Sequence, residues 1–405
     1  MPFVRLAAEL NKRGYKTLFL GNEKFVNLCD SSGVEIGIVS SLQEYETTYN
    51  NPLTWSGNYA QNHYNEFHFP AIKPTFRTIE KIVNNGHQPF VVYQDVLSGA
   101  RMAAEAFNLG SCQIALAPYA IHSSISPPYP ARRQVEESLW SEILPKMKEK
   151  ARDGTFKGLV QPLINPAREE LGLPPWGLEH IPDMDDSRNL IGLFPEWLKP
   201  IPEDWPKNFL STGFILGQQC EEVSDPALSK FLKSNPSPIV FTFGTGIPVT
   251  SFLIEKICDV CKKTGKPGVF IAHSRHQEIV ENAPFPLLIL KSTDFNSLFT
   301  HSSLIVHHGG IGTCAQAFAN GVPQLLSPYT FDQPDNAYLI WSLGVGNAID
   351  FLNDSVHQIT SMIEDLHKST TVRNKAMSLK SHTVDSTERT ALHLINMKEN
   401  MHNVV

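Results

Sequence analysis

Phe3, Leu6, Ala7 and Leu10 recur at i, i+3, i+4 and i+7, one apolar face of a helix that Pro2 can open and Gly14 can close. After it the pattern changes. Tyr15 to Leu20 predicts a strand, Glu23 to Asp30 a helix closed near Gly33, and Val34 to Val39 a second strand. Phe90 to Tyr93 reads as a strand, Ser98 to Asn108 as a small-residue helix, and Gln113 to Ala117 as another strand. Such alternation favours a parallel sheet covered by helices on both faces.

The same grammar returns in the second half. Pro238 to Phe243 is an apolar strand running into Gly244-Thr245-Gly246, followed by a helix from Phe252 to Lys262. Gly268 to Ala272, Leu287 to Leu290, Leu304 to Val306 and Gln324 to Leu326 predict further strands. Helices are expected from Thr313 to Asn320, closed by Gly321, and from about Asn336 to Leu343. Between the halves, a Pro/Trp-rich stretch from about Pro174 to Pro206 suits an irregular segment crossing between two folded bodies. The boundary is expected near Gly217 to Pro226, giving domains 1–216 and 217–382 and a terminal helix within 383–405. The fold class is α/β, two doubly wound domains facing each other across a cleft. One element is missing from this pattern: the chain opens on a helix, where such a domain ordinarily opens with a central strand and a loop.

Composition narrows the function classes. The 405 residues suit roughly two or three domains, and the 41% apolar fraction is enough for real cores. A net charge of −7 carries no basic footprint for nucleic acid. No run approaches the ~18 consecutive apolar residues of a membrane span, and residues 1–5 show no signal-peptide core. Six scattered cysteines form no disulfide framework, so a reducing cytoplasm is expected.

The candidate chemistry concentrates between Val306 and Asn336. His308, Gly309, Gly310, Gly312 and Thr313 lie where a strand turns into a helix. Glycine lets main-chain amides approach a ligand, and a helix start offers unpaired N–H groups to an anion. That arrangement can cradle a diphosphate, or it can be a tight turn that needs glycine only for geometry. Adjacent His307 and His308 at a strand end point apart, which disfavours a shared metal. In the next strand–helix loop, Asp332, Gln333 and Asn336 place a carboxylate and an amide suited to sugar hydroxyls, although an Asp there can equally cap the helix near Asn336.

This segment resembles the donor-binding signature of inverting GT-B glycosyltransferases that use nucleotide sugars. It is most similar to the bacterial branch around the rhamnosyltransferase of rhamnolipid synthesis, near the sterol and antibiotic glycosyltransferases. Leu193-Phe194-Pro195-Glu196-Trp197, Asp204-Trp205-Pro206 and Thr212-Gly213-Phe214 resemble the interdomain stretch of that branch, and Ala100 to Glu105 with Ser126-Pro127-Pro128 its acceptor domain. The resemblance implies an N-terminal acceptor domain, a C-terminal donor domain and a last helix, Thr383 to Met401, folding back on the first domain. It implies that His308 and the amides near Gly310, Gly312 and Thr313 hold the donor diphosphate, with Gly244 and Thr245 approaching the same phosphates. Asp332 and Gln333 would bind the transferred sugar. Gln316 would face the ribose, where many relatives carry Glu. Ser292 and Asp294 stand where plant relatives place a base-stacking Trp and a Pro, with Phe295 as an apolar substitute.

The implied reaction moves a hexose, without metal or other cofactor, from a UDP- or dTDP-linked sugar to a hydroxyl of an apolar lipid, sterol or natural-product acceptor. The implied oligomeric state is a monomer. The family's base, a His or Asp, lies in a first strand–helix loop of which only the tail, Met1-Pro2-Phe3, is matched. No catalytic residue is therefore assigned, and His63, His68 and His122 read as ordinary histidines. The alternative is a nucleotide-sugar-binding remnant impaired in transfer. Cys258 and Cys261 have redox or metal spacing but lie on an amphipathic helix, where core burial is expected. Arg132 to Lys157 carries an apolar stripe that suits either a packed face or contact with a membrane surface.

Overall fold

A computed structural model describes residues 2–51, 62, 64–94, 98–121, 123, 126, 156–177, 188–216, 222–244, 249–272 and 287–402. The chain divides into two units, Met1–Ile215 with Asp385–Val405, and Leu216–Val384.

The first unit begins with α1 (Pro2–Lys12), whose apolar face buries Val4 and Leu6. The amide of Tyr15 returns to Leu10 O at 3.1 Å, and Asn11 Oδ1 accepts from the amide and hydroxyl of Thr17. That turn delays β1 to Leu18–Asn22, three residues later than the apolar pattern suggests. Next come α2 (Val26–Ser32), β2 (Glu35–Ser40) and α3 (Leu42–Asn50), the last opened by a Ser41/Glu44 capping box. The unit continues with α4 (Ile72–Asn84), β3 (Val91–Tyr93), α5 (Ser98–Ala106), β4 (Ser111–Ala115), α6 (Asn165–Glu170), β5 (Leu190–Gly192) and β6 (Phe209–Ser211).

Among the described residues all pairings in this unit are parallel, but they fall into two sheets, β1-β2 and β3-β4-β5-β6. Helix α1 serves both: Leu6 packs with Cys112, Ile114 and Ile191, and Val4 with Cys29 and Val34. Every residue of β1 is only half-buried. On the helical layer, Arg168 is fully buried and donates to both carboxylate oxygens of Glu105, at 3.1 and 2.6 Å.

The Pro/Trp-rich stretch departs from expectation. Leu190, Ile191 and Gly192 are buried inside the first unit's sheet, between β4 and β6, rather than lying in an irregular crossing. Trp205 packs edge-on against Phe209 with ring centroids 4.7 Å apart, so the aromatic residues of this stretch and its flank belong to a core. Three residues are too few for periodicity to announce a strand. The apolar stripe between Arg132 and Lys157 falls on residues 139–147, outside the described residues, as do His63 and His122.

The second unit comprises α7 (Pro226–Ser234), β7 (Ile239–Thr242), α8 (Ser251–Thr264), β8 (Gly268–Ile271), β9 (Leu287–Leu290), α9 (Phe295–Thr300), β10 (Leu304–His307), α10 (Ile311–Asn320), β11 (Gln324–Leu326), α11 (Gln333–Ser342), β12 (Gly346–Ala348), α12 (Val356–Lys368) and α13 (Thr370–Lys380). Its six described strands, all parallel, run β9-β8-β7-β10-β11-β12, and every residue of β7, β8 and β10 is buried. The order grows outward from β7 through β8 to β9, then returns to place β10 on the other side of β7. That reversal opens a crevice beyond the carboxyl ends of β7 and β10. On α8, Cys258 and Cys261 are buried free thiols in the core, and burial pushes Cys261 up to about 12.

The last helix, α14 (Thr387–His402), belongs to the first unit. Leu394 joins the Leu6 cluster, and Glu388 accepts from Arg13 Nη2 at 2.6 Å. No described helix is long and apolar enough to cross a membrane.

Candidate functional site

Strands β7 and β10 stand in register, Thr242 opposite His307, so their exits are neighbours. The first leads through Phe243 to Gly244, the second directly to His308. A Cβ on Gly244 would sit 2.9 Å from His308 Cε1, and one on Gly310 would sit 2.6 Å from His308 Nε2. Two glycines thus clear the space for one imidazole. Gly244 has the further reason of a positive φ, +67°. Thr245 lies outside the described residues.

Helix α10 begins beneath this ring. Its N-cap, Gly310, has no side chain to offer, and its carbonyl accepts from the amides of Thr313 at 3.0 Å and Cys314 at 3.1 Å. Among the described residues, the amides of Gly310 and Gly312 and the Thr313 hydroxyl make no hydrogen bond to the protein. Unpaired donors at the start of a three-turn helix carry its positive dipole end, the electrostatic complement of an anion.

Asp332 is more deeply built in than a surface ligand for hydroxyls. Its carboxylate accepts from the Ile311 amide and, at 2.7 Å, from Asn336 Nδ2. Burial raises its pKa, and the hydrogen bonds from Asn336, its own amide and Ile311 pull against that rise. Gln333 uses Oε1 to hold the amides of Tyr329 at 2.8 Å and Thr330 at 3.1 Å. Its Nε2 makes no hydrogen bond among the described residues, so the group left for a hydroxyl is a donor. Immediately before Asp332, Phe331 is held at φ +53°, a conformation costly for a bulky side chain.

Gln316 lies in the second turn of α10. Nε2 donates to Leu216 O at 3.4 Å, whereas Oε1 is buried with no partner. A buried acceptor without a donor is costly, and a ligand hydroxyl would relieve it. Phe295 stacks on Phe299 with centroids 5.0 Å apart and packs into the core, and Asp294 caps α9 through the Ser297 amide at 2.8 Å. The rings of His307 and His308 are perpendicular, with centroids 6.4 Å apart, and do not converge on one point. Asn336 is the residue whose part the sequence conceals. Its spacing of four from Asp332 places both on one helical face, and that is the only local sign of their bond.

The family model described as erythromycin biosynthesis protein CIII-like, C-terminal domain, matches residues 268–391. Over 175 residues the chain is 29% identical to O-mycaminosyltylonolide 6-deoxyallosyltransferase of Streptomyces fradiae, covering 42% of this chain and 40% of that one. The chain therefore spans less than half of that relative's length. The solved glycotransferase of kitacinnamycin superposes with a TM-score of 0.73 at 16% identity, covering 98% of this chain and 95% of its own. Glycosyltransferase VinC, solved in complex with DTDP, superposes at 0.66 with 14% identity, covering 98% and 96%.

Proposed function

Because the chain has the GT-B fold and its second unit is that of the UDP-glycosyltransferase-like superfamily, we propose that it transfers a hexose from a nucleotide-diphosphate sugar to a hydroxyl of an apolar acceptor, with inversion. The observation that carries this reading is the His308 ring lodged between Gly244 and Gly310 above the unpaired amides of α10, at the point where strand order reverses. In this reading those amides and the Thr313 hydroxyl receive the diphosphate. Gln316 Oε1 accepts from the ribose, and Gln333 with Asp332 reads the sugar.

The chemistry that follows is charge stabilisation. As the glycosidic bond breaks, negative charge grows on the departing diphosphate, and preoriented amides plus the dipole of α10 meet it without reorganisation. A metal is not required for that task in this reading. A sterol or natural-product acceptor is suggested by the relatives' names, among them a vancomycin aglycone glucosyltransferase and a sterol 3-beta-glucosyltransferase, and a lipid acceptor by the sequence resemblance alone. No described residue is assigned as the base that deprotonates the acceptor.

A second reading is binding without transfer. It is favoured by one observation among the described residues, the division of the first unit's strands into two sheets, with half-buried β1 in a separate two-stranded pair. The two readings separate in one experiment on the 405-residue chain. Calorimetry with UDP- and dTDP-sugars measures uptake, and nucleotide release with lipid, sterol and aglycone panels measures turnover. Uptake with turnover supports transfer, uptake alone supports the second reading, and no uptake ends both.

A further inference from the structure

We propose that His307 is a positioning residue for the amide cradle: with its ring proton on Nε2, it pins the Gly309 main chain and so aims the Gly310 amide at the anion site. The inference rests on the donor-binding reading above for its ligand, but its geometry belongs to the protein alone.

His307 ends β10 and is fully buried. Its Nδ1 accepts from the Gly309 amide at 3.1 Å. A ring nitrogen that accepts carries no proton, so the single proton of the uncharged ring is on Nε2. Nε2 then donates to Gln324 Oε1 at 3.1 Å, and Gln324 is itself fully buried on the neighbouring strand β11. Burial first, and the adjacent His308 second, keep this imidazole uncharged down to about 3. Protonation, or the other tautomer, would set an Nδ1–H donor against the Gly309 N–H donor.

The consequence for the site follows from peptide planarity. Gly309 is held at both ends, its nitrogen by His307 and its oxygen by Asn336 Nδ2 at 2.8 Å. Gly309 C=O and Gly310 N–H share one trans plane, so pulling the oxygen toward Asn336 turns the Gly310 N–H the opposite way. The turn would otherwise be free, since Gly309 sits at φ +91° with glycine on its far side. His308 supplies the ring above the cradle, and His307 supplies the fixed frame beneath it.

The test compares wild type, His307→Asn, His307→Leu and Gln324→Leu, each checked for a cooperative thermal transition. Asn keeps an acceptor near the Nδ1 position, and Leu does not. In long-range ¹H–¹⁵N spectra the wild type should show the Nε2–H tautomer. The Gly310 and Gly312 amide signals should move in His307→Leu and stay near their wild-type positions in His307→Asn. In calorimetry with UDP, dTDP, uridine and thymidine, His307→Leu should lose about tenfold in affinity for the diphosphates and none for the nucleosides, with His307→Asn recovering most of it. Gln324→Leu should resemble His307→Leu in both measurements. An Nδ1–H tautomer, or a folded His307→Leu whose Gly310 amide and diphosphate affinity match wild type, overturns the proposal. A wild type with the expected tautomer and amide shifts but no nucleotide uptake refutes the donor reading while leaving the positioning role intact.

Discussion

The side-chain amide of Asn336 reaches Gly309 O at 2.8 Å across 27 residues of sequence, and from the same nitrogen reaches Asp332 Oδ2 at 2.7 Å. One buried carboxamide thereby joins the loop after β10 to the loop after β11. Replacing it with Ala removes one hydrogen bond from the buried Gly309 carbonyl and one from the partly buried Asp332 carboxylate, at a cost of about 1–3 kcal/mol. Asn336→Ala should therefore lower the urea midpoint and weaken binding of nucleotide sugar and free nucleoside diphosphate together. Unchanged unfolding would show that the two loops are held by something else.

The glycines of the site should respond differently from one another. Gly310→Ala places a methyl 2.6 Å from His308 Nε2, and Gly244→Ala adds an unfavourable φ to a 2.9 Å approach. Both should displace the imidazole and lose at least about tenfold in diphosphate affinity. Gly312→Ala meets nothing within 4 Å and lies inside α10, so it should raise stability by up to about 1 kcal/mol. Thermal melts and calorimetry on the three variants check the contrast.

Asp332 gives the stability of the second unit a defined pH dependence. Its folded pKa is raised, chiefly by burial, above the value of about 3.9 expected in the unfolded chain. The folded state therefore favours the protonated acid. The resulting stabilisation is complete below about pH 4 and is lost as pH rises through the raised folded value. At pH 7 the charged form is a burden that Asp332→Asn removes. The variant should melt higher than wild type at pH 7, with the gain shrinking toward pH 4. A gain that does not vary with pH would contradict the assignment.

In the first unit, Glu105→Gln should be costly without touching any donor contact. It leaves the fully buried Arg168 guanidinium without its carboxylate partner, and Trp176 Nε1 loses the charged acceptor it reaches at 2.9 Å. Glu105 is itself 40% exposed, so water screens part of the loss, and about 2 kcal/mol is expected. Denaturant unfolding should show that drop while nucleotide affinity holds.

Sequence patterns reveal those elements whose own residues carry the signal. The four-residue face of Phe3, Leu6, Ala7 and Leu10 announces α1, and the unbroken run Leu287–Leu290 is β9 itself. Strand β5 is hidden because three residues between prolines and aromatics have no period, and only pairing with β4 and β6 makes them a strand. Helix α10 starts at Ile311 rather than Thr313 because glycine does not announce a helix, though its amide can begin one. In the site, glycines at a strand–helix turn are a local covalent signature and can be read directly. The bonds of Asn336 to Gly309 and of His307 to Gln324 are long-range products of the β10–β11 register, and no local pattern records them.

In the proposed function, the switch point of the second unit holds a nucleoside diphosphate under His308. Titration calorimetry of the 405-residue chain with UDP and dTDP, repeated on His308→Ala, measures it most directly. Saturable uptake of at least one of the two is expected, reduced about tenfold or more in the variant while its melting transition stays cooperative. Absence of uptake by the wild type, or equal uptake by wild type and variant, would contradict it.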